Sequence, residues 1–209
     1  MVKKVLVSAA MMIAAVSVMS AQLAPGSSPE GRAQVEVGGK YVAGARGGQT
    51  YQGGKWVEIT YGRPLLRGRD LFAAGPDYGK TLNAGAPVWR AGANVTTRLK
   101  NAAALSIAGK VVPAGEHSLF IDLKENNWTF IVSDWDAQTT YDPNNKAALW
   151  GSYNYTADKD VVRAPMKLTK TTVNVEQLTW GFVNVTATGG EIAFWWGKEM
   201  ATVPFTFPM

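Results

Sequence analysis

The stretch HSLFIDL at residues 117–123, followed by ENN at 125–127 and WTFIVS at 128–133, decides the fold class. Every second residue in the two longer runs is apolar or aromatic, and this period of two is typical of β-strands with one buried face. The intervening glutamate and two asparagines are typical of a turn. The stretch therefore predicts an antiparallel β-hairpin.

The same alternation recurs on both sides of this hairpin. The further runs lie at residues 57–61, 95–100, 161–168, 173–185, 192–196 and 201–207. Turn residues at Ala108-Gly109-Lys110 and Thr188-Gly189-Gly190 separate neighbouring runs. Because no run has a convincing helical period, the sequence predicts a mostly β single domain, an antiparallel β-sandwich with a jelly-roll-like arrangement.

The N-terminus has the pattern of a signal peptide. Lys3 and Lys4 precede an apolar run at residues 5–18, and small residues up to Ala21 supply a cleavage site. The run is shorter than the about 20 apolar residues that a spanning helix needs. We therefore expect a signal peptide at residues 1–21, no membrane span after its removal, and a periplasmic or secreted protein.

Composition divides the remaining chain in two. Residues 22–54 are rich in glycine and poor in large apolar residues, which predicts a flexible N-terminal segment with at most one edge strand around 34–37. The alternating runs begin at residue 55, so we expect the β-sandwich domain at 55–209. Two long connections, at 62–88 and 135–159, are candidates for functional loops.

Charge and rare residues exclude several classes of function. The net charge is +5, two of the lysines lie in the predicted signal peptide, and no run of five like charges occurs, so we expect no nucleic-acid partner. With no cysteine and one histidine, thiol chemistry and multi-histidine metal sites are excluded, and we expect no metal and no cofactor. His117 shares a strand face with Leu119, so we interpret it as structural and assign no catalytic residue.

Arginines and an asparagine in and just after the first long connection form the densest polar constellation in the sequence. It comprises Arg63, Arg67, Arg69, Arg90 and Asn94. Because guanidinium groups match carboxylates and phosphates and also stack on aromatic rings, these five are the candidate ligand-binding residues. They point to a small anionic or carbohydrate ligand, or to an envelope partner.

Two other hypotheses remain open at the level of sequence. The arginines can instead hold long loops onto the sandwich by pairing with acids such as Asp160 or Glu176, which makes the protein purely structural. Alternatively, loop carboxylates such as Asp70, Asp77 or Asp134 can serve a hydrolase of glycans or esters, although no pair has a recognisable spacing.

Tryptophans offer a second surface for carbohydrate. The chain has eight, and exposed indoles stack on sugar rings. Adjacent Trp195 and Trp196 must point to opposite faces of a strand, so only one of them can enter the core of a two-sheet sandwich.

The spacing of these motifs resembles a known bacterial family. The motifs are Tyr61-x-Arg63-Pro64, Arg67-Gly68-Arg69, Trp89-Arg90-x-Gly92-Ala93-Asn94, Pro113-Ala114-Gly115, Trp128, Trp150-Gly151 and Asp160-Val161-x-Arg163. Over residues 56–205 the sequence is similar to the family called domain of unknown function 2911. The resemblance implies a secreted or periplasmic protein and supplies no activity, cofactor or catalytic residue. His117 departs from the aromatic residue common in the family, and the glycine-rich segment before Trp56 also looks peculiar to this chain.

Overall fold

A computed structural model describes residues 28–140 and 151–208, so the predicted signal peptide lies outside the described residues. Within them the chain forms twelve β-strands. These are β1 (Glu30–Val37), β2 (Lys40–Ala43), β3 (Gln49–Gln52), β4 (Lys55–Gly62), β5 (Thr97–Asn101), β6 (Leu105–Ile107), β7 (Lys110–Val112), β8 (Gly115–Asp122), β9 (Thr129–Ser133), β10 (Asp160–Pro165), β11 (Lys167–Val183) and β12 (Gly189–Thr206).

Among residues 28–140 and 151–208, helical structure is confined to the two long connections. A four-residue helix, α1, spans Lys80–Asn83, and single 3-10 turns lie at Gly75–Asp77 and Ala157–Lys159. No helix in the described part of the chain is long and apolar enough to cross a membrane.

The strands form two large sheets and one small hairpin. One sheet has six strands in the order β1-β4-β5-β8-β9-β10, the other has four in the order β11-β12-β6-β7, and β2 pairs only with β3. All paired strands are antiparallel. The predicted mostly β, antiparallel sandwich is confirmed.

One hydrophobic core joins the two sheets, because each sheet buries every second side chain against the other. From the six-stranded sheet, Ile59, Leu99 and Leu119 are fully buried in this core. Trp180 and Phe194 enter it from the four-stranded sheet, with their rings 5.3 Å apart between centroids. The alternation that predicted the strands therefore also predicted which residues pack inside.

The hairpin turns predicted at 108–110 and 125–127 are present and use left-handed backbone conformations, whereas the third lies earlier than predicted, at 184–188, because Gly189 and Gly190 already belong to β12. β6 and β7 are joined by Ala108 and Gly109 with φ of 50° and 77°, as a two-residue turn with positive φ at both positions requires. The turn between β8 and β9 contains Asn126 at φ 61°, and that between β11 and β12 begins with Asn184 at φ 50°. Asparagine tolerates this conformation better than most residues do.

β1 begins upstream of the boundary predicted at residue 55. It pairs with β4 along its length, starting with Glu30 opposite Gly62, and forms one edge of the six-stranded sheet. The edge strand expected around residues 34–37 is the second half of β1. This pairing brings Ser28 and Pro29 next to the end of β4, where the first long connection begins.

Strand β11 is interrupted by two bulges that place the first long connection. Its pairing with β12 shifts register between Lys170 and Val175, and again between Val175 and Thr179. In the second bulge, Gln177 forms an antiparallel bridge with Leu65 of the long connection. The arginine-bearing loop is therefore held at the open edge of β11 like a short extra strand.

Candidate ligand-binding site

The loop after β4 is fixed to the bulge of β11 by two backbone–backbone hydrogen bonds and one from the backbone to a side chain. Leu66 N donates to the Glu176 carbonyl at 2.7 Å, and Leu178 N donates to Pro64 O at 3.0 Å. Arg67 N donates to the Glu176 carboxylate at 2.8 Å. Glu176 thus holds the loop with both its backbone and its side chain, and the next residues project from a fixed base.

Arg67 and Gly68 turn the loop sharply away from the sheet. Their φ angles are 53° and 69°, so two consecutive residues occupy the left-handed region. Glycine adopts this conformation freely, whereas arginine does so at a cost. The turn leaves the Arg67 side chain exposed, while its backbone is held by Glu176.

Arg69 closes the same loop with its guanidinium group. Its Nε donates to Leu66 O at 3.0 Å and its Nη2 donates to Leu65 O at 2.7 Å. Both carbonyls belong to the loop that carries Arg69, so its guanidinium group closes this loop on itself. Arg69 also lines the cavity described below.

Arg90 reaches the site from the segment before β5. Trp89 anchors this segment by a pair of 2.9 Å backbone hydrogen bonds with Ile121, and Trp180 Nε1 donates to Ala91 O at 2.9 Å. Arg90 is half-buried, and its Nε donates to Gly92 O at 3.3 Å. Burial lowers the pKa of Arg90, although an arginine remains charged at neutral pH.

A close backbone approach fixes this segment beside β4. Ala93 N donates to Gly62 O at 3.2 Å, and a Cβ on Gly62 would lie 1.9 Å from Ala93 O. Only glycine fits at position 62. The Trp89–Asn94 segment and the loop after β4 therefore form two facing walls.

A cavity of about 460 Å³ lies between these walls, and we call it the arginine cavity. It is lined by Ser28, Pro64, Leu65, Arg67, Arg69, Thr81, Leu82, Trp89, Arg90, Gly92, Ala93 and Trp196. Three of the five predicted ligand-binding residues thus meet in one place, and the described lining includes no carboxylate. Its size falls in the range of small-molecule sites.

Two tryptophans join Pro64, Leu65 and Leu82 in the apolar part of this lining. Trp89 and Trp196 are each 2% exposed, and their rings stack at 6.0 Å between centroids with planes 11° apart. Trp196 Nε1 donates to Glu176 O at 3.3 Å, which ties the ring to the same residue that holds the arginine loop. Trp195, its neighbour, is half-buried outside the core and covers Gly181, as the alternation predicts.

The structure places the other two predicted residues outside the arginine cavity. The Arg63 side chain lies on Gly31 of β1, and its Nε is 3.5 Å from Leu178 O, so it links β1 to β11. Asn94 takes a left-handed conformation with φ of 68°, donates to Ser28 O at 3.2 Å and lines an adjoining cavity.

Sequence reasoning did not identify several residues that complete the arginine cavity. Ser28, Thr81, Leu82 and Trp196 come from three distant parts of the chain. Their convergence depends on the pairing of β1 with β4 and on the packing of the first long connection. Only Trp196 carried a local signal, since its alternation with Trp195 predicted one inward-facing indole.

His117 is engaged on both ring nitrogens. Its Nδ1 lies 2.7 Å from Asp134 Oδ1 and its Nε2 lies 3.0 Å from Pro113 O. Ser118, the adjacent hydroxyl, donates instead to Trp135 O at 2.6 Å. Neither nitrogen therefore faces a serine, as a Ser-His-Asp triad requires.

The carboxylates considered for hydrolysis each have a local partner. Asp70 accepts a hydrogen bond from Phe72 N at 3.3 Å, and Asp77 pairs with Lys80 at 2.9 Å. Asp134 is held by His117. None of these three aspartates lines the arginine cavity. Among the described residues, no group of three or more histidines, aspartates or glutamates is arranged to hold a metal ion.

The Asp160-x-x-Arg163 motif forms a clamp on the outer face of the six-stranded sheet. Arg163 Nη1 donates to Asp160 at 2.9 Å and to Tyr155 Oη at 3.0 Å, while its Nη2 donates to Asp122 at 3.0 Å. Burial, followed by the hydrogen bond to Asp160, raises the pKa of Tyr155. The clamp connects β8 and β10 with the end of the second long connection.

Residues 45–205 match the family described as "Protein of unknown function (DUF2911)". The chain belongs to this family. The region matched to DUF2911 covers nearly all of the sandwich. It also includes every residue that lines the arginine cavity except Ser28. No curated protein and no solved structure matches the chain.

Proposed function

We propose that the protein binds a small anionic molecule in the arginine cavity, as a binding protein rather than an enzyme. The observation that carries the proposal is the convergence of Arg67, Arg69 and Arg90 on one cavity whose described lining holds no carboxylate. Guanidinium groups bind carboxylates and phosphates through paired, charge-assisted hydrogen bonds.

The lining also indicates the shape of the ligand. Pro64, Leu65 and Leu82 supply most of an apolar wall beside the charged groups, since Trp89 and Trp196 are almost fully buried. Thr81 and Ser28 add hydroxyls. A ligand with one anionic group and a compact ring or sugar-like body matches this combination. The carboxylates of the hydrolase hypothesis lie outside the cavity, which favours binding over hydrolysis.

The test is isothermal titration of the purified protein with phosphate, sulfate, citrate and uronic acids, in low and high salt. Replacing one arginine that contacts an anion removes a charge-assisted hydrogen bond of about 1.5–3 kcal/mol. Arg67→Gln and Arg90→Gln should therefore weaken binding by about ten-fold or more.

Arg46→Gln is the matched control, because it makes the same charge change on the exposed turn between β2 and β3, away from the cavity. If Arg46→Gln weakened anion binding equally, the loss of affinity would come from the change in net charge alone. Absence of binding by every anion would refute the proposed function.

We also infer that the protein acts outside the cytoplasm. The basic Lys3-Lys4 pair, the apolar run at residues 5–18 and the small residues before Gln22 support export. Intact-mass analysis of the protein from its native host should give a chain that begins near Gln22. A chain that begins at Met1 would contradict export by cleavage.

A further inference from the structure

A row of polar side chains crosses the outer face of the six-stranded sheet. The strand register places Thr60 opposite Arg98, Arg98 opposite Ser118 and Ser118 opposite Ser133. Directly opposite residues project to the same face of a sheet. Because Leu99, the neighbour of Arg98, points into the core, the row lies on the face turned away from the core.

Two cavities lie over this row. The first, about 320 Å³, is lined by Thr60 and Arg98 of the row and by Asn94 and Thr139 of the adjacent loops. The second, about 240 Å³, is lined by Arg98, Ser118, Ser133 and the segment 134–137. Because Arg98 lines both, the two cavities meet at its side chain, and we call them together the outer-face groove.

The outer-face groove also meets the arginine cavity. Ser28 and Ala93 line both the arginine cavity and the 320 Å³ cavity. The order is therefore the arginine cavity, then the Ser28–Ala93 junction, then the groove over Thr60, Arg98 and Ser118. The part of the path over Thr60, Arg98 and Ser118 crosses β4, β5 and β8 rather than following one strand.

Charge changes along this path. The arginine cavity combines three arginines with no carboxylate in its described lining. The outer-face groove has Arg98 but also acidic residues, namely Glu30, Glu116, Asp134 and Asp136. Arg98 itself forms an ion pair with Glu116. An anion is therefore favoured at one end only. Along the groove, the hydroxyls of Thr60 and Thr139 and the carboxylates suit the hydroxyl groups of a neutral ligand, whereas the Ser118 and Ser133 hydroxyls are buried and donate to backbone carbonyls.

We propose that the anion in the arginine cavity is the charged end of an oligosaccharide, and that its neutral sugar units lie in the outer-face groove. This inference rests on the proposed function and extends it. An extended peptide fits less well, because peptides are usually added along the free edge of a sheet. The strands beneath Arg98 and Ser118 are paired on both sides.

The test compares ligands that share one carboxylate and differ in length. The probes are aldonic acids of the maltose, cellulose and chitin series, each as monomer, dimer and tetramer, with the neutral tetrasaccharides as controls. In at least one series, the tetramer acid should bind about ten-fold or more tightly than the monomer acid, since it adds one or more hydrogen bonds in the groove. The neutral tetrasaccharide should bind more weakly than its acid.

A groove-filling variant tests the path itself. Thr60→Tyr places a ring in the 320 Å³ cavity and should reduce the ratio of tetramer to monomer affinity to about one, as expected when no further contact is gained. Thr129→Tyr is the matched control, because Thr129 is a half-buried threonine on the outer face of β9 that lines neither cavity.

The outcomes separate this inference from the proposed function. Equal affinity for monomer and tetramer acids in every series, or a ratio unchanged in Thr60→Tyr, overturns the oligosaccharide assignment while anion binding stands. Failure of all anions, short and long, overturns both.

Discussion

The indole rings of Trp89 and Trp196 stack 6.0 Å apart between the wall of the arginine cavity and the core of the sandwich. Trp89 directly precedes Arg90, whereas Trp196 lies in β12, a strand of the four-stranded sheet. Phe194 contacts the Trp89 ring edge-on with centroids 5.7 Å apart. The cavity wall is therefore continuous with the aromatic core, so its position depends on core packing.

Trp196→Ala should destabilise the protein strongly. Removing a buried tryptophan costs about 3–5 kcal/mol through lost burial and the cavity that remains. In a domain of this size each kcal/mol lowers the unfolding midpoint by about 2–4 °C. Thermal unfolding followed by circular dichroism measures the change.

Trp195→Ala provides the comparison within the same strand. Its side chain is half-buried on the opposite face, so the loss of stability should be smaller than for Trp196→Ala. Equal midpoints for the two variants would contradict the assignment of Trp196 to the core.

Glu176→Ala should loosen the arginine loop and weaken anion binding. The carboxylate accepts the Arg67 N–H, and this bond at an exposed position is worth about 1 kcal/mol. The backbone bonds of Glu176 remain, so the fold should persist. Calorimetric titration with the tightest-binding anion, beside a thermal melt, separates the two effects.

Glu36→Ala is the matched control for this variant. Glu36 is also an exposed carboxylate that accepts a backbone N–H, from Gly54 at 3.0 Å, and it lines no described cavity. Both variants should lose similar stability, and only Glu176→Ala should lose affinity. The same affinity loss in Glu36→Ala would contradict a local role for Glu176.

The strands were predictable because their signal is local. Alternation over residues 117–123 and 128–133 depends only on which side chains face a buried surface, and the structure forms β8 and β9 there. The turn residues Gly109 and Asn126 were equally informative, because their positive φ is a property of single positions.

The site was only partly predictable, because it is built from contacts between distant segments. The sequence grouped five candidate residues by proximity in the chain, yet Arg63 turns toward Gly31 while Arg67 and Arg69 face the cavity. That separation follows from the bulge of β11 at Gln177, which receives the loop as an extra strand. No local pattern encodes a register shift in a partner strand.

Arg69→Lys should destabilise the loop almost as much as Arg69→Ala. The guanidinium group donates through Nε and Nη2 to two successive carbonyls, and a single ammonium cannot reproduce that fork. Because Arg69 is exposed, each variant should cost only about 1 kcal/mol. Amide hydrogen exchange in the segment after β4 provides the local measurement.

Arg67 supplies the contrast for this prediction. Its side chain is exposed and its backbone is left-handed, so Arg67→Gly should leave stability unchanged or raise it slightly. Full retention of loop protection in Arg69→Lys would show that charge, rather than the planar fork, holds the loop.

Stability should fall in alkaline solution because of Tyr155. Burial and the hydrogen bond to Asp160 raise its pKa above the ordinary value of 10.0, so the folded state keeps the phenol proton more tightly than the unfolded state. The contribution is fully present below the unfolded pKa and is lost as pH rises toward the folded one. Thermal midpoints of the wild type should therefore decline above about pH 10. The Tyr155→Phe variant loses the contacts with Arg163 and Asp160, so it should be less stable at neutral pH, but its midpoint should decline less steeply in alkaline solution.

Tyr41→Phe serves as control, since Tyr41 is 68% exposed on β2 and its removal should leave the alkaline slope unchanged. An identical slope in wild type and Tyr155→Phe would show that another group causes the alkaline loss.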